Sequence, residues 1–255
     1  MGENVEVGAF AVIEGKVTIG NNCKIHPHAI ICDYSTIGDN CEIFPGAVFG
    51  GTPQDLKFDG EVSYVKIGNN VSIHEYATIN RGTKASGKGV TEIGDDTLIM
   101  SYVHVAHDCH IGKHCILVSY VGCAGETDVD DWAIIGGGSL VHQFSHIGTH
   151  AMVGGASAVN KDIPPYSICG RTPICYAGVN LVGLRRRGFD SETIMKIKDI
   201  YETIYYQGYN NTDGCARVEE IFPQSVERDT ILKFIRESKR GVVKGGDPKV
   251  KGGIE

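Results

Sequence analysis

The chain has 255 residues, 42% of them apolar, a formal net charge of −7 and a pI near 5.8. That charge argues against general nucleic-acid binding, which needs a basic surface. No apolar run reaches the roughly 18 residues of a membrane span, and the N-terminus carries no charged-then-apolar leader, so a cytoplasmic protein is expected.

From the first residues an apolar side chain recurs every sixth place: Val7, Ile13, Ile19, Ile25, Ile31, Ile37, Ile43 and Phe49. This is neither the two-residue period of an ordinary strand nor the 3.6-residue period of a helix. A short apolar repeat of this kind marks a parallel β-helix, with three hexads to a triangular coil of 18 residues. Extrapolated back, the phase lands on Met1, so the chain is expected to begin mid-repeat. Glycines follow the aliphatics (Gly8, Gly20, Gly38), often with Asn or Asp next, and such residues are expected to tolerate the corner dihedrals. Cys23, Cys41, Cys109 and Cys115 fall four places after a hexad aliphatic, where Ala and Ser otherwise stand. They are expected to be small core fillers rather than ligands or disulfides, and no Cys-x-x-Cys pair occurs.

Two stretches break the phase, residues 50–66 and 80–92, and are expected to be loops projecting from corners. In solenoids such insertions often gather on the binding face. Ile67, Ile73 and Ile79 keep the phase between them. From Ile93 to Val159 it is unbroken, which brings the total to about eight coils. Pro164 and Pro165 then end the ladder, to which Pro cannot donate. The β-helix with its capping segment 164–187 thus covers residues 1–187, and a small α-helical domain is expected over 188–240. Asp190 or Ser191 caps its first helix, which Gly208 closes. Further helices are expected over 213–221 and 226–238. The Gly- and Lys-rich tail 241–255 has the composition of a disordered segment. The flat faces of such a prism make oligomerisation an expectation of the architecture.

Residues 18 apart sit above one another, about one strand spacing (~4.8 Å) apart. His107, Gly125 and Gln143 therefore form one column; Asp108, Glu126 and Phe144 the next; Ala106, Ala124 and His142 a third; His104 lies below Gly122. A neutral His beside a carboxylate is a general base at pH 7, and a nearby backbone N–H can hold an oxyanion. No protein nucleophile is needed if the substrate's own hydroxyl or amine attacks, so the constellation suits direct acyl transfer. His104, His107 and His110 are three apart and lack a completing Cys or Asp, which disfavours zinc. Cys123 occupies a hexad core position, so its sulfur is expected to point inward.

The runs HVAHDC (104–109), AIIGG (133–137), VHQF (141–144), MVGG (152–155), PPY (164–166), GVN (178–180) and RRRGF (185–189), with QDLK (54–57), closely resemble the acyl-[acyl carrier protein]–UDP-N-acetylglucosamine O-acyltransferase family, which begins lipid A synthesis. The resemblance covers nearly the whole chain and implies a left-handed β-helix, a homotrimer and active sites between subunits. It implies His107 as the base for the glucosamine 3-hydroxyl, Asp108 as its orienter and the Gly125 N–H as oxyanion donor. His104 and His142 would hold the sugar and its phosphates, and Gln54, Asp55 and Lys57 would contact the nucleotide sugar or the acyl donor. Gln143, Asn180, Arg186 and Arg187 would bind pantetheine and the UDP phosphates. Gly155 lies where the family gauges acyl length, and its openness implies a long 3-hydroxyacyl chain. No cofactor is implied beyond the carrier's phosphopantetheine. Lys196, Lys198, Arg236, Lys239 and Arg240 would dock the acidic carrier protein. The chain departs from the family pattern at Asn80 and Glu126, where His is frequent, and at Val182, where an acid is frequent.

Three alternatives remain at this point. The N-acyltransferase acting two steps later normally bears an extra N-terminal domain. A small-molecule acetyltransferase would lack the long helical end and the 54–57 loop. A non-enzymatic or metal-dependent hexapeptide scaffold would need no histidine constellation, or a metal trio across subunits.

Overall fold

A computed structural model describes residues 1–246. Almost every hexad forms a strand of two residues, and each strand pairs in parallel with the strand one coil on: His104 with Gly122, Val105 with Cys123, then Cys123 with Val141. Three sheets result, the faces of a triangular prism. The first has ten strands, the second eight and the third seven, and the chain visits them in that order. The hexad aliphatics point inward; Ile25, Ile43, Ile73, Ile99, Leu117, Ile135 and Val153 line the inside of the first sheet and are fully buried. Burying such a side chain is worth about 1.5–3 kcal/mol, and because each coil touches only its neighbours that gain is collected coil by coil.

The corners correct the expectation about glycine. The left-handed conformation falls three places after the aliphatic and is carried mostly by other residues, among them Asn22 (φ 55°), Asn40 (56°), Asn70 (57°) and Asp96 (56°). Asn and Asp tolerate that region. The glycine directly after the aliphatic is needed for space instead. A Cβ on Gly94 would lie 2.7 Å from the carbonyl carbon of Gly112 in the next coil. The same left-handed positions let side chains stack along a corner: His114 on Trp132, Trp132 on His150, His150 on Tyr166.

The cysteine expectation holds. Cys23, Cys41, Cys109 and Cys115 are buried, and each thiol donates to a carbonyl of the following coil (Gly38, Gly68, Ala124 and Asp130) at 3.1–3.2 Å. Burial pushes the thiols of Cys41, Cys109 and Cys115 up to about 12, far from thiolate reactivity. All nine cysteines are free.

The solenoid does not stop at Val159. Ile163 bridges to Ile147, and strand Ser167–Gly170 adds to the first sheet with Val153 opposite Cys169. This last coil is 16 residues instead of 18, because Ile163 follows Val159 by four places where a hexad would take six, and so it leaves the hexad phase. Strand Cys175–Val179 then folds back antiparallel and closes the sheet. A short helix α1 (Leu181–Arg186) follows, inside the segment 164–187 expected only as a cap. Helices α2 (Ser191–Tyr206), α3 (Asn211–Ile221) and α4 (Val226–Glu237) complete the C-terminal part, capped by Asp190, Asn210 and Ser225. Helix α3 begins two residues before the expected start, where Asn210 offers the cap.

The tail expectation fails for residues 241–246. Val243 N–H donates to Asp162 O, the Asp162 N–H donates to Gly241 O, and Val242 and Val243 are buried. Two valines among the glycines supply the apolar surface that average composition hides. Residues 247–255 lie outside the described residues.

Candidate active site

Both phase-breaking loops leave the corner between the second and third sheets, from consecutive coils, and the next coil places His107 and Asp108 at that same corner. The loops pack on each other. Glu61 of the first accepts the Lys84 N–H of the second at 2.8 Å, and this bond is the main cause holding the Glu61 carboxyl down at about 2. Arg81 lies over the rings of Phe58 and Tyr34. Asn80 is buried, and its Nδ2 donates to Thr52 O across the base of the two loops.

His107 is 7% exposed and Asp108 fully buried, and His107 Nδ1 lies 2.9 Å from Asp108 Oδ2. Neighbours in an extended strand point to opposite faces; these two share a hydrogen bond because Asp108 takes the left-handed corner position, φ 59°. The Asp108 carboxylate also accepts the Thr83 N–H on both oxygens (2.9 and 3.0 Å) and the Thr83 hydroxyl (2.7 Å). Its own N–H donates to Thr91 Oγ1 at 2.8 Å. Such donors offset the cost of burying a carboxylate. With Asp108 accepting at Nδ1, that nitrogen carries the proton and Nε2 is left with its lone pair.

Nε2 faces the α-carbon of Gly125, where a Cβ would stand 2.5 Å away. Glu126 donates its N–H to His107 O, which sets the two corners in register. The Gly125 N–H makes no backbone hydrogen bond among the described residues. His104 lies on the same face one coil from Gly122, with Nδ1 2.7 Å from Thr78 Oγ1. Burial, then the nearby His107, lowers its pKa, so it stays neutral near pH 7. His142 is exposed two coils on, its Nδ1 2.9 Å from Gln143 O. Gln54 and Lys57 are exposed on the first loop, and Asp55 Oδ1 accepts the Lys57 N–H.

The remaining expected residues sit elsewhere on the chain. Asn180 is buried, caps α1 through Gly183 N, and donates to His150 O. Arg187 stacks over Trp132 and lies 3.2 Å from His150 Nδ1, while Arg186 is exposed. These three belong to the corner between the third and first sheets, and exposed Gly155 to the corner between the first and second. One chain therefore gathers His104, His107, Asp108, Gly125, His142, Gln143 and the first loop, but holds Asn180, Arg186, Arg187 and Gly155 on its other two corners.

The basic cluster of the helical end is largely neutralised: Lys196 pairs with Glu192, Lys198 with Glu202 and Arg236 with Glu219. Arg240 donates to Asn160 O. Cys123 is fully buried and its thiol is pushed well above its ordinary range, which removes it as a nucleophile. Among the described residues no group of three or more His, Cys, Asp or Glu could hold a metal ion, and no helix is long and apolar enough to cross a membrane. Thr83 is invisible in the repeat, because its contact to Asp108 crosses a loop that has no period, whereas Thr91 stands in strand Val90–Ile93, one coil from Asp108, at the end of the stretch where the phase is broken.

A family model described as UDP-N-acetylglucosamine O-acyltransferase, domain 2, matches residues 162–243, and a bacterial transferase hexapeptide model matches 1–33 and 91–125. The acyl-[acyl-carrier-protein]–UDP-N-acetylglucosamine O-acyltransferase of Burkholderia lata is 42% identical over 202 residues, 78% of this chain and 77% of the relative. The UDP-N-acetylglucosamine acyltransferase of Bacteroides fragilis superposes with a TM-score of 0.93 at 49% identity, over 95% of this chain and 94% of that one. The Arabidopsis enzyme does so at 0.86 and 31% identity, over 95% of each chain. The fold is thus the left-handed parallel β-helix with a small helical end. Identity at this level over most of both chains, on one fold from end to end, means that the chain belongs to the UDP-N-acetylglucosamine O-acyltransferase family.

Proposed function

We propose that the chain transfers a long-chain (R)-3-hydroxyacyl group from acyl carrier protein to the glucosamine 3-hydroxyl of UDP-N-acetylglucosamine, the first step of lipid A biosynthesis. The observation that carries the mechanism is the buried Asp108–His107 pair with Nε2 facing Gly125. His107 Nε2 takes the proton of the 3-hydroxyl as its oxygen attacks the thioester carbon. The Gly125 N–H donates to the oxyanion of the tetrahedral intermediate. The carbon–sulfur bond then breaks, and the proton on His107 goes to the leaving pantetheine thiolate. His104 and His142 hold the sugar and its phosphates, with Gln54, Asp55 and Lys57 reaching from the loop. Exposed Arg186 suits phosphate geometry, and Asn180 acts by capping the helix that carries it. No cofactor enters beyond the carrier's phosphopantetheine.

A homotrimer fits this reading. The expected site residues lie on three corners of one chain, so a complete site needs a neighbouring chain. The first sheet also carries a half-buried apolar stripe, Leu98, Ile116, Ile134 and Met152. Lys196, Lys198, Arg236, Lys239 and Arg240 of the helical end are the dock for the acidic carrier protein, since their half-exposed ion pairs are weak and exchange readily. Nine free cysteines suit a reducing compartment, and we place the enzyme in the cytoplasm.

The test is transfer from 3-hydroxyacyl carrier proteins of graded length to UDP-N-acetylglucosamine, with His107→Ala alongside. Ester product from the parent, with about 10²–10⁴-fold less from the variant, is expected. Product from neither, with a folded parent, overturns the reaction; equal product from both overturns the base. Light scattering should give three times the 27.5 kDa chain mass, and a monomer would overturn the trimer.

A further inference from the structure

We infer that Thr83 is the positioning residue of the general base, acting through Asp108. The inference rests on the reading of His107 as that base. Thr83 stands 25 residues before Asp108 and belongs to the loop, not the solenoid, yet it is buried and directs both of its donors at that one carboxylate. It immediately precedes the short 3-10 turn Lys84–Ser86, where a Thr side chain ordinarily accepts an N–H of the turn itself. Here it makes no such bond. The Lys84 N–H is taken by Glu61 of the other loop, at 2.8 Å. The hydroxyl donates to Oδ2, the same oxygen that faces His107 Nδ1.

Two effects follow. Three hydrogen bonds from Thr83 to the two oxygens fix the rotation of the carboxylate, and with it the plane in which His107 is held. They also spread its negative charge. Without the hydroxyl, more charge remains on Oδ2, the imidazolium is favoured, and the base gives up its proton less readily. Thr83 touches neither reacting atom; it sets the tautomer, angle and basicity of the group that does.

The experiment compares T83V, which keeps the shape and removes the hydroxyl, with T83S, which keeps the hydroxyl. The assay is transfer to UDP-N-acetylglucosamine from the best carrier-protein donor of the parent. T83V should lower kcat about tenfold, the low end of what losing a partner behind an oriented imidazole does. KM for both substrates should stay within about twofold, and the acid limb of the kcat/KM profile should move to higher pH. T83S should keep most of the parent rate. In a D108N background T83V should add less than about twofold, because residues acting in one chain of contacts are not additive. Parent-like kcat in T83V, or the same tenfold loss on top of D108N, overturns the inference. H107A separates the two claims. If H107A is inactive and T83V is parent-like, only the role of Thr83 falls; if H107A is active, the base itself is wrong. Where T83V does not fold, T83A takes its place in the same comparisons.

Discussion

Gly125→Ala tests the geometry of the site with one methyl group. The Gly125 backbone is not in the left-handed region, so alanine brings no backbone strain there. Its Cβ would stand 2.5 Å from His107 Nε2 and 2.6 Å from Cε1, against an ordinary contact of about 3.5 Å or more. The imidazole must therefore retreat by roughly 1 Å. Its Nδ1 is tied to Asp108 at 2.9 Å, and a retreat of that size takes the pair past hydrogen-bond range. A misplacement of about 1 Å typically costs about 10²-fold in rate, or roughly 2.7 kcal/mol in the barrier. Overpacking also lowers stability by about 1–3 kcal/mol, so the melt is measured beside the rate. The expected result is a folded protein with kcat down about a hundredfold. A kcat within about threefold of the parent would show that Nε2 does not need the place it has over Gly125, and would refute the mechanism built on it.

Gly94→Ala, whose Cβ would meet Gly112 and Lys113 backbone atoms at 2.7 Å, should lower stability by about 1–3 kcal/mol in thermal melts. Gly15→Ala, with nothing within 4 Å, should leave it unchanged, and equal melts for the two would undo the close-approach argument. Gly155→Leu should reduce kcat/KM for long acyl donors by about tenfold or more per two methylenes excluded and spare short ones, as read from the chain-length profile; an unshifted profile removes Gly155 from the acyl site. His150 gives an acid limb to stability: burial, then the adjacent Arg187, holds its pKa down at about 4 from 6.5. The unfolded chain then takes a proton that the folded chain refuses, so stability is fully present above about pH 6.5 and falls as pH drops towards 4. Urea midpoints of the parent and His150→Asn between pH 7 and 4 check this; parallel curves would refute it.

The hexad period alone determined the prism, its 18-residue coil and the inward aliphatics, because a repeat that must bury one face at every turn writes that requirement into every sixth residue. It also brought His107 under Gly125, since columns follow from the coil length. Asn22 and Asn40 declared their corners by composition, and the helices α2 and α4 declared theirs through the 3.6 period, α2 also through its cap. Three things needed the tertiary structure. The shortened coil after Val159 loses the phase that would announce it, and α1 is too brief to carry a period. The tail residues 241–246 are ordered by packing against the end of the solenoid, which composition cannot express. The clamp of Thr83 on Asp108 arises where an aperiodic loop folds back onto a periodic body. Repetition makes contacts predictable by counting; a loop that leaves the repeat returns to a place that only its own packing decides.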